Sequence, residues 1–178
     1  LVFGIKLYLN QTTGGFIINE FALTEIYKSW NVNQPILLHA EEDTFEKVRY
    51  IVKKTGRRTH ICHISSKYEL SQVIKAKNDG LPITCGVTPH HLFLSSSDSK
   101  KLGSYGQMKP NLKTRKDQDY LWKNIEYIDI IESDHAPHTK DEKENVTPPF
   151  GVPGLETTLP LLMQAEFEGR IHFNQIIS

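Results

Sequence analysis

The stretch Ile130-Ile131-Glu132-Ser133-Asp134-His135-Ala136-Pro137-His138 is an apolar run that stops in a carboxylate and two imidazoles around a proline. The β-branched residues Ile128, Ile130 and Ile131 suit a strand covered on both faces, and Pro137 has no N–H to continue a ladder. The residues therefore predict a buried strand that delivers an acid and metal-type ligands to its own C-terminal end. Taken alone, the segment reads better as a turn in which Asp134 caps the next element and the histidines face solvent. Repetition of the pattern along the chain decides between the two.

Upstream, Leu81-Pro82-Ile83-Thr84-Cys85-Gly86-Val87-Thr88 is a second apolar strand, and it exits into Pro89-His90-His91. Thr59-His60-Ile61-Cys62-His63-Ile64 alternates, so His60 and Cys62 face the opposite way from Ile61 and His63. Pro35-Ile36-Leu37-Leu38-His39 ends in histidine, and the stretch from Leu1 to Leu9 carries one lysine, Lys6, in apolar surroundings. A lone lysine usually reaches solvent by its stem, whereas a buried one has a depressed pKa and becomes chemically available. Between the strands, helical spacing is carried by Leu23, Ile26, Tyr27 and Trp30, by Phe45, Val48 and Val52, and by Leu70, Val73 and Ile74 behind a Ser66/Glu69 capping box. The turn Gln11-Thr12-Thr13-Gly14-Gly15 is the kind of loop that can cover a site. A long polar loop is expected from Ser95 to Lys116, then a helix through Leu121, Trp122 and Ile125. After the Pro/Gly loop Thr147 to Gly154 comes a helix with Leu155, Leu159, Leu162, Met163 and Phe167 on its apolar side.

Strand, loop and helix thus alternate five times, which predicts βαβ units and a parallel sheet. A doubly wound sheet and a (β/α)8 barrel both fit. Polar residues leave nearly every strand at its C-terminal end, and only in a barrel do all those ends converge on one mouth. The expected fold is α/β, the C-terminal part, about five βα units, of a TIM-like barrel. Residues 1–178 then form a single partial domain whose N-terminal strands are missing, in keeping with a chain that starts inside a strand without methionine.

The 178 residues are 38% apolar and 24% charged, as in soluble globular proteins. Lys and Arg total 21, as do Asp and Glu, so no basic surplus favours nucleic acid or an anionic membrane. No apolar run approaches the ~20 residues that span a bilayer, and the first residues are not a signal peptide. The two cysteines, Cys62 and Cys85, each sit in an apolar run, which points to reduced thiols and a cytoplasmic address.

Lys6, His39, His63 and Asp134 each close a separate strand and could meet around a metal ion, because imidazole suits zinc and a carboxylate can ligate and carry protons. His60 and His172 are assigned to hydrogen bonding only. The ordered set Gly4-Ile5-Lys6-Leu7-Tyr8-Leu9-Asn10, Leu38-His39-Ala40-Glu41, His60-Ile61-Cys62-His63, Thr88-Pro89-His90-His91-Leu92 and Ser133-Asp134-His135-Ala136-Pro137-His138 resembles the dihydroorotases of the amidohydrolase superfamily. The wording is closest to the dihydroorotase domain of the multifunctional pyrimidine-synthesis protein of animals. It resembles dihydropyrimidinases and allantoinases less closely, since they lack the segment Pro149-Phe150-Gly151-Val152-Pro153-Gly154-Leu155-Glu156.

The resemblance implies two zinc ions bridged by Lys6 carboxylated on its amine, with His39 and His63 on one ion and Asp134 on the other. It implies that Asp134 is also the general acid/base, in the reversible cyclisation of N-carbamoyl-L-aspartate to dihydroorotate. Lys109, His138, Phe150 and Gly151 are implied to contact substrate. Fusion to other pyrimidine-pathway enzymes and a homo-oligomer are further implications. Three departures stand out. The His-x-His pair and the substrate-gripping arginine and asparagine of relatives belong to strands this sequence lacks. Lys109 stands where relatives carry arginine or asparagine, and keeps the charge without the bidentate fork. Gly86 stands where the animal domain has a glutamate associated with an extra zinc. The rival reading is an inactive dihydroorotase-like domain kept as scaffold.

Overall fold

A computed structural model describes residues 2–12 and 14–177. Leu1, Thr13 and Ser178, on which parts of the first strand, the Gly/Thr turn and the chain's end were expected, lie outside the described residues. Strand β1 (Ile5–Tyr8) leads to helix α1 (Glu20–Ser29), whose first turn is closed by Asn19 accepting the Ala22 N–H at 2.9 Å. Strand β2 (Ile36–His39) runs through a 3-10 turn into α2 (Phe45–Thr55). Strand β3 (Thr59–Ile61) precedes α3 (Lys67–Asn78), which starts on the expected reciprocal Ser66/Glu69 capping box. Strand β4 (Ile83–Val87) is followed by α4 (Pro89–Phe93), α5 (Ser96–Leu102) and α6 (Arg115–Lys123). Strand β5 (Ile130–Ile131) then gives way to α7 (Lys140–Lys143), α8 (Leu155–Phe167) and α9 (Phe173–Ile177).

All five strands are parallel, in the order β1-β2-β3-β4-β5. A doubly wound sheet reverses its order at a switch point; strictly sequential order is that of a barrel wall. Lys6 pairs with Leu37, Leu37 with His60, and His60 with Thr84, so one row crosses the sheet on one face. The alternate residues Ile36, Leu38, Ile61, Cys85 and Val87 are almost wholly buried. They join Tyr27 of α1, Val48 and Val52 of α2, Leu70 and Val73 of α3 and Leu121 of α6 in one core. Each such aliphatic side chain contributes roughly 1.5–3 kcal/mol of burial. The core therefore lies between sheet and helices, and the polar row lies on the other face.

Four expectations are corrected. The first strand is Ile5–Tyr8 rather than Leu1 to Leu9. The strand before Asp134 is only Ile130–Ile131, and Ile130 is 50% exposed: its side chain is on the face that the described residues leave uncovered, so it is not covered on both sides. The polar stretch Ser95 to Lys116 contains α5 and a 3-10 turn over Gly103–Gly106. Without apolar periodicity α5 rests on its Ser95/Asp98 capping box. On α8, only Leu162 of the expected apolar side is buried; Leu155, Leu159, Met163 and Phe167 are exposed.

Candidate active site

His39 closes β2 and is 1% exposed. His63 lies two residues beyond β3 and Asp134 three beyond β5, and both have positive φ, 41° and 42°. Non-glycine residues there cost on the order of 1–3 kcal/mol and persist only where their surroundings hold them. Around His63 the hold is explicit. Cys62 N–H donates to Leu38 O at 3.0 Å, Ile64 N–H to Gly86 O at 2.8 Å, and the His63 N–H to the Glu132 carboxylate. Beside Asp134, Glu132 N–H donates to Val87 O at 2.9 Å and Ala136 N–H to Val152 O at 3.1 Å.

His39 Nδ1 and His63 Nε2 thereby come to 3.1 Å from one another. Two nitrogens bound to one tetrahedral zinc at about 2.0–2.1 Å stand about 3.3 Å apart, so the pair fits a shared ion. With both lone pairs so directed, His39 carries its proton on Nε2, which meets Glu41 Oε1 at 3.2 Å. That is the carboxylate–histidine arrangement that orients metal ligands, and the hydrogen bond from His39 is the main cause holding the Glu41 carboxyl below its usual range. His63 Nδ1 is buried with no hydrogen-bond partner among the described residues, a polar group that costs free energy unless something further engages the ring. Burial pushes the His63 pKa well down, leaving the neutral imidazole that binds metal.

One open cavity of about 370 Å³ gathers Lys6, His39, His63, Lys109, Asp134, Phe150 and Gly151, with Tyr8 and Phe16 at its edge. Thr12 and Gly14 of the Gly/Thr turn also line it. Asp134 reaches this cavity, and desolvation by the cavity wall raises its carboxyl above the usual range against the opposing pull of Lys6. Lys109 Nζ stands 5.3 Å over the Phe150 ring. His138 is absent from the lining; its Nε2 instead meets Phe150 O at 3.1 Å, behind the wall. His91 sits in α4, bonded to Thr88 Oγ1 at 2.7 Å and Pro110 O at 3.0 Å, and His135 Nδ1 accepts from Gly154 N–H at 3.1 Å. Both are structural.

Sequence reasoning assigned no role to Glu41 or Glu132. For Glu41 the signal was available, because residues 39 and 41 leave β2 on the same face. His60, Cys62 and Glu132 bring ligand atoms within 4.8 Å of one another, a group able to hold a cation. Each also has a protein partner: Thr84 Oγ1 at 2.9 Å for His60, Lys6 for Cys62, and the His63 N–H for Glu132. Burial pushes the Cys62 thiol up to about 11. At Gly86, an added Cβ would collide with the Glu132 carboxylate, whose Cδ would stand 2.7 Å away. The space in front of Gly86 is thus filled by the Glu132 carboxylate from β5's end.

No family model matches the chain. It is 40% identical over 176 residues to the "Multifunctional protein CAD" of Squalus acanthias, covering 98% of this chain and 8% of that protein. It is 36% identical over 193 residues to a dihydroorotase of Pyrococcus horikoshii, covering 97% of this chain and 43% of that protein. An L-hydantoinase from Arthrobacter aurescens superposes with a TM-score of 0.89 at 21% identity, over 97% of this chain and 48% of that one. The inactive dihydroorotase-like domain of a Chaetomium thermophilum CAD-like protein gives 0.78 at 23%, over 98% and 49%. The fold is that of the TIM-barrel amidohydrolases, of whose barrel wall the five strands form part. The chain spans less than half the length of each of these relatives. Within the class it belongs with the dihydroorotases.

Proposed function

We propose that the protein carrying this chain is a zinc-dependent cyclic amidohydrolase that interconverts N-carbamoyl-L-aspartate and dihydroorotate. The observation that carries this is the convergence of His39 Nδ1 and His63 Nε2 at 3.1 Å in a cavity shared with Lys6 and Asp134. His39 and His63 would hold one zinc ion and Asp134 a second, with Lys6, carboxylated on its amine, as a further ligand. When bound, the metal supplies Lewis acidity and a water-derived nucleophile at neutral pH. Asp134, its carboxyl raised, accepts the proton of the attacking oxygen and returns it to the ring nitrogen as the C–N bond breaks; cyclisation runs the same transfers backward. The Lys109 ammonium attracts the substrate carboxylate, the backbone at Phe150 and Gly151 touches the ring, and His138 holds that backbone.

Residues 1–178 supply five strands of a single barrel domain in this reading. Fusion to other pyrimidine enzymes accords with the shark relative, and a cytoplasmic homo-oligomer acting on a small molecule completes the picture. Among the described residues no helix is long and apolar enough to cross a membrane. A hydantoinase-type ring is the second reading; a ring without a carboxylate has no use for Lys109. The scaffold reading draws on the inactive Chaetomium domain.

The test uses the protein at its full natural length. Asp134→Asn is expected to abolish turnover in both directions, and His39→Ala and His63→Ala each to lower bound zinc. Near-normal turnover in Asp134→Asn, or unchanged zinc in both histidine variants, overturns the assignment. Ring opening of hydantoin but not dihydroorotate selects the second reading, and full zinc with no turnover of either selects the scaffold.

A further inference from the structure

A lysine in a four-residue surface helix is expected to keep its ammonium in water. Lys143, the last residue of α7, is only 4% exposed. Its Nζ donates to Pro149 O at 2.9 Å, Gly151 O at 3.0 Å and Gln107 O at 3.2 Å. Three donors meet three carbonyls, so the ammonium is fully satisfied. It takes part in none of the ion pairs among the described residues. A buried cation without a counter-ion is costly, and what this one holds is the backbone of two segments that carry the cavity-lining Lys109, Phe150 and Gly151.

Gln107 stands two residues before Lys109, while Pro149 and Gly151 flank Phe150. Gln107 O also receives the Gly151 N–H at 3.0 Å, so the two segments are joined at the same carbonyl that Lys143 reaches. Gly151 has φ 136°, and a Cβ there would stand 2.6 Å from Ala136 O. The loop is thus pressed against the strand-end segment, clamped by His138 on Phe150 O from one side and by Lys143 from the other. Helix α7 is itself anchored by the Thr139/Glu142 capping box and by Tyr105 OH on Glu144 at 2.6 Å.

We propose that Lys143 is a positioning residue: it touches no reacting atom, but fixes the wall carrying Lys109, Phe150 and Gly151 and so sets substrate affinity. This rests on the function proposed above for that wall. Small displacements of positioning groups have large kinetic effects, about 100-fold for about 1 Å.

The experiment compares wild type, Lys143→Met and Lys143→Arg in the protein at full natural length, with amide hydrogen exchange at Gly151, zinc content and steady-state kinetics on dihydroorotate. In Lys143→Met, Gly151 exchange and KM are each expected to rise on the order of tenfold, with kcat changed less than about threefold and zinc unchanged. Lys143→Arg keeps the charge, but a planar guanidinium cannot serve three carbonyls converging on one point; its KM stays raised. Unchanged Gly151 exchange overturns the proposal whether or not ring opening is observed. Exchange that rises with KM unmoved overturns it too, since the loop then does not face substrate. Wild-type KM in Lys143→Arg beside a raised KM in Lys143→Met overturns it in favour of simple charge attraction. Should Lys143→Met not fold, Lys143→Arg alone decides through the same two readouts.

Discussion

Glu41→Ala removes the carboxylate that faces the outer nitrogen of His39 at 3.2 Å. Outer partners of metal-binding histidines change metal affinity about 10- to 100-fold, or about 1.4–2.7 kcal/mol. Here the spacing is at the long end for a charge-assisted bond, the Glu41 side chain is 16% exposed, and Lys113 approaches its other oxygen only at 4.0 Å. Those features place the effect at the lower end, about tenfold weaker zinc binding. Glu41→Gln retains an acceptor for the His39 N–H and is expected to lose only about threefold. The assay is a zinc competition titration against a chelator at pH 7, with thermal melts of the zinc-free proteins to separate ligand orientation from folding. A Kd for Glu41→Ala within twofold of wild type would show that His39 is oriented without Glu41 and refute the reasoning.

Glu69 is fully buried; its Oε2 takes Ser65 N–H, Ser65 Oγ and Ser66 N–H, Oε1 has no partner among the described residues, and burial pushes its pKa from 4.5 up to about 7. The folded state then holds a proton that the unfolded state releases, so this group's contribution to stability falls as pH rises from about 4.5 to about 7. Glu69→Gln is expected to flatten that part of the Tm–pH profile and to be more stable above pH 7 by on the order of 1–3 kcal/mol; a lower Tm than wild type at pH 8 contradicts this. Gly86→Ala drives a Cβ into the Glu132 carboxylate and should displace it from the His63 N–H, at about 1–3 kcal/mol. Adding Glu132→Ala removes the collision, so the double variant should melt above the sum of the two single losses, and strict additivity in the melts counts against the contact.

The apolar runs at Ile36 to Leu38 and Ile83 to Val87 and the alternation of Thr59 to Ile64 were enough to place three strands, because burial of the sheet writes itself locally into the chain. The capping box at Ser66/Glu69 marked the start of α3 for the same local reason. Lys6, His39 and Asp134 were readable as candidates since each interrupts or closes such a run. Periodicity reports which face is buried, yet it carries no information on which strand lies beside which. The polar strand ends already favoured a barrel wall over a doubly wound sheet, while the sequential strand order itself came from inter-strand hydrogen bonds. The short helix α5 stands on its cap rather than on an apolar stripe, so its stretch was read as loop. The left-handed turn at His63, the reach of Glu41 to His39, the filling of Gly86's space by Glu132 and the clamp at Lys143 all join residues distant in sequence or set by register. Polar partners of that kind are fixed by the meeting of two backbones in space, and only the tertiary structure decided them.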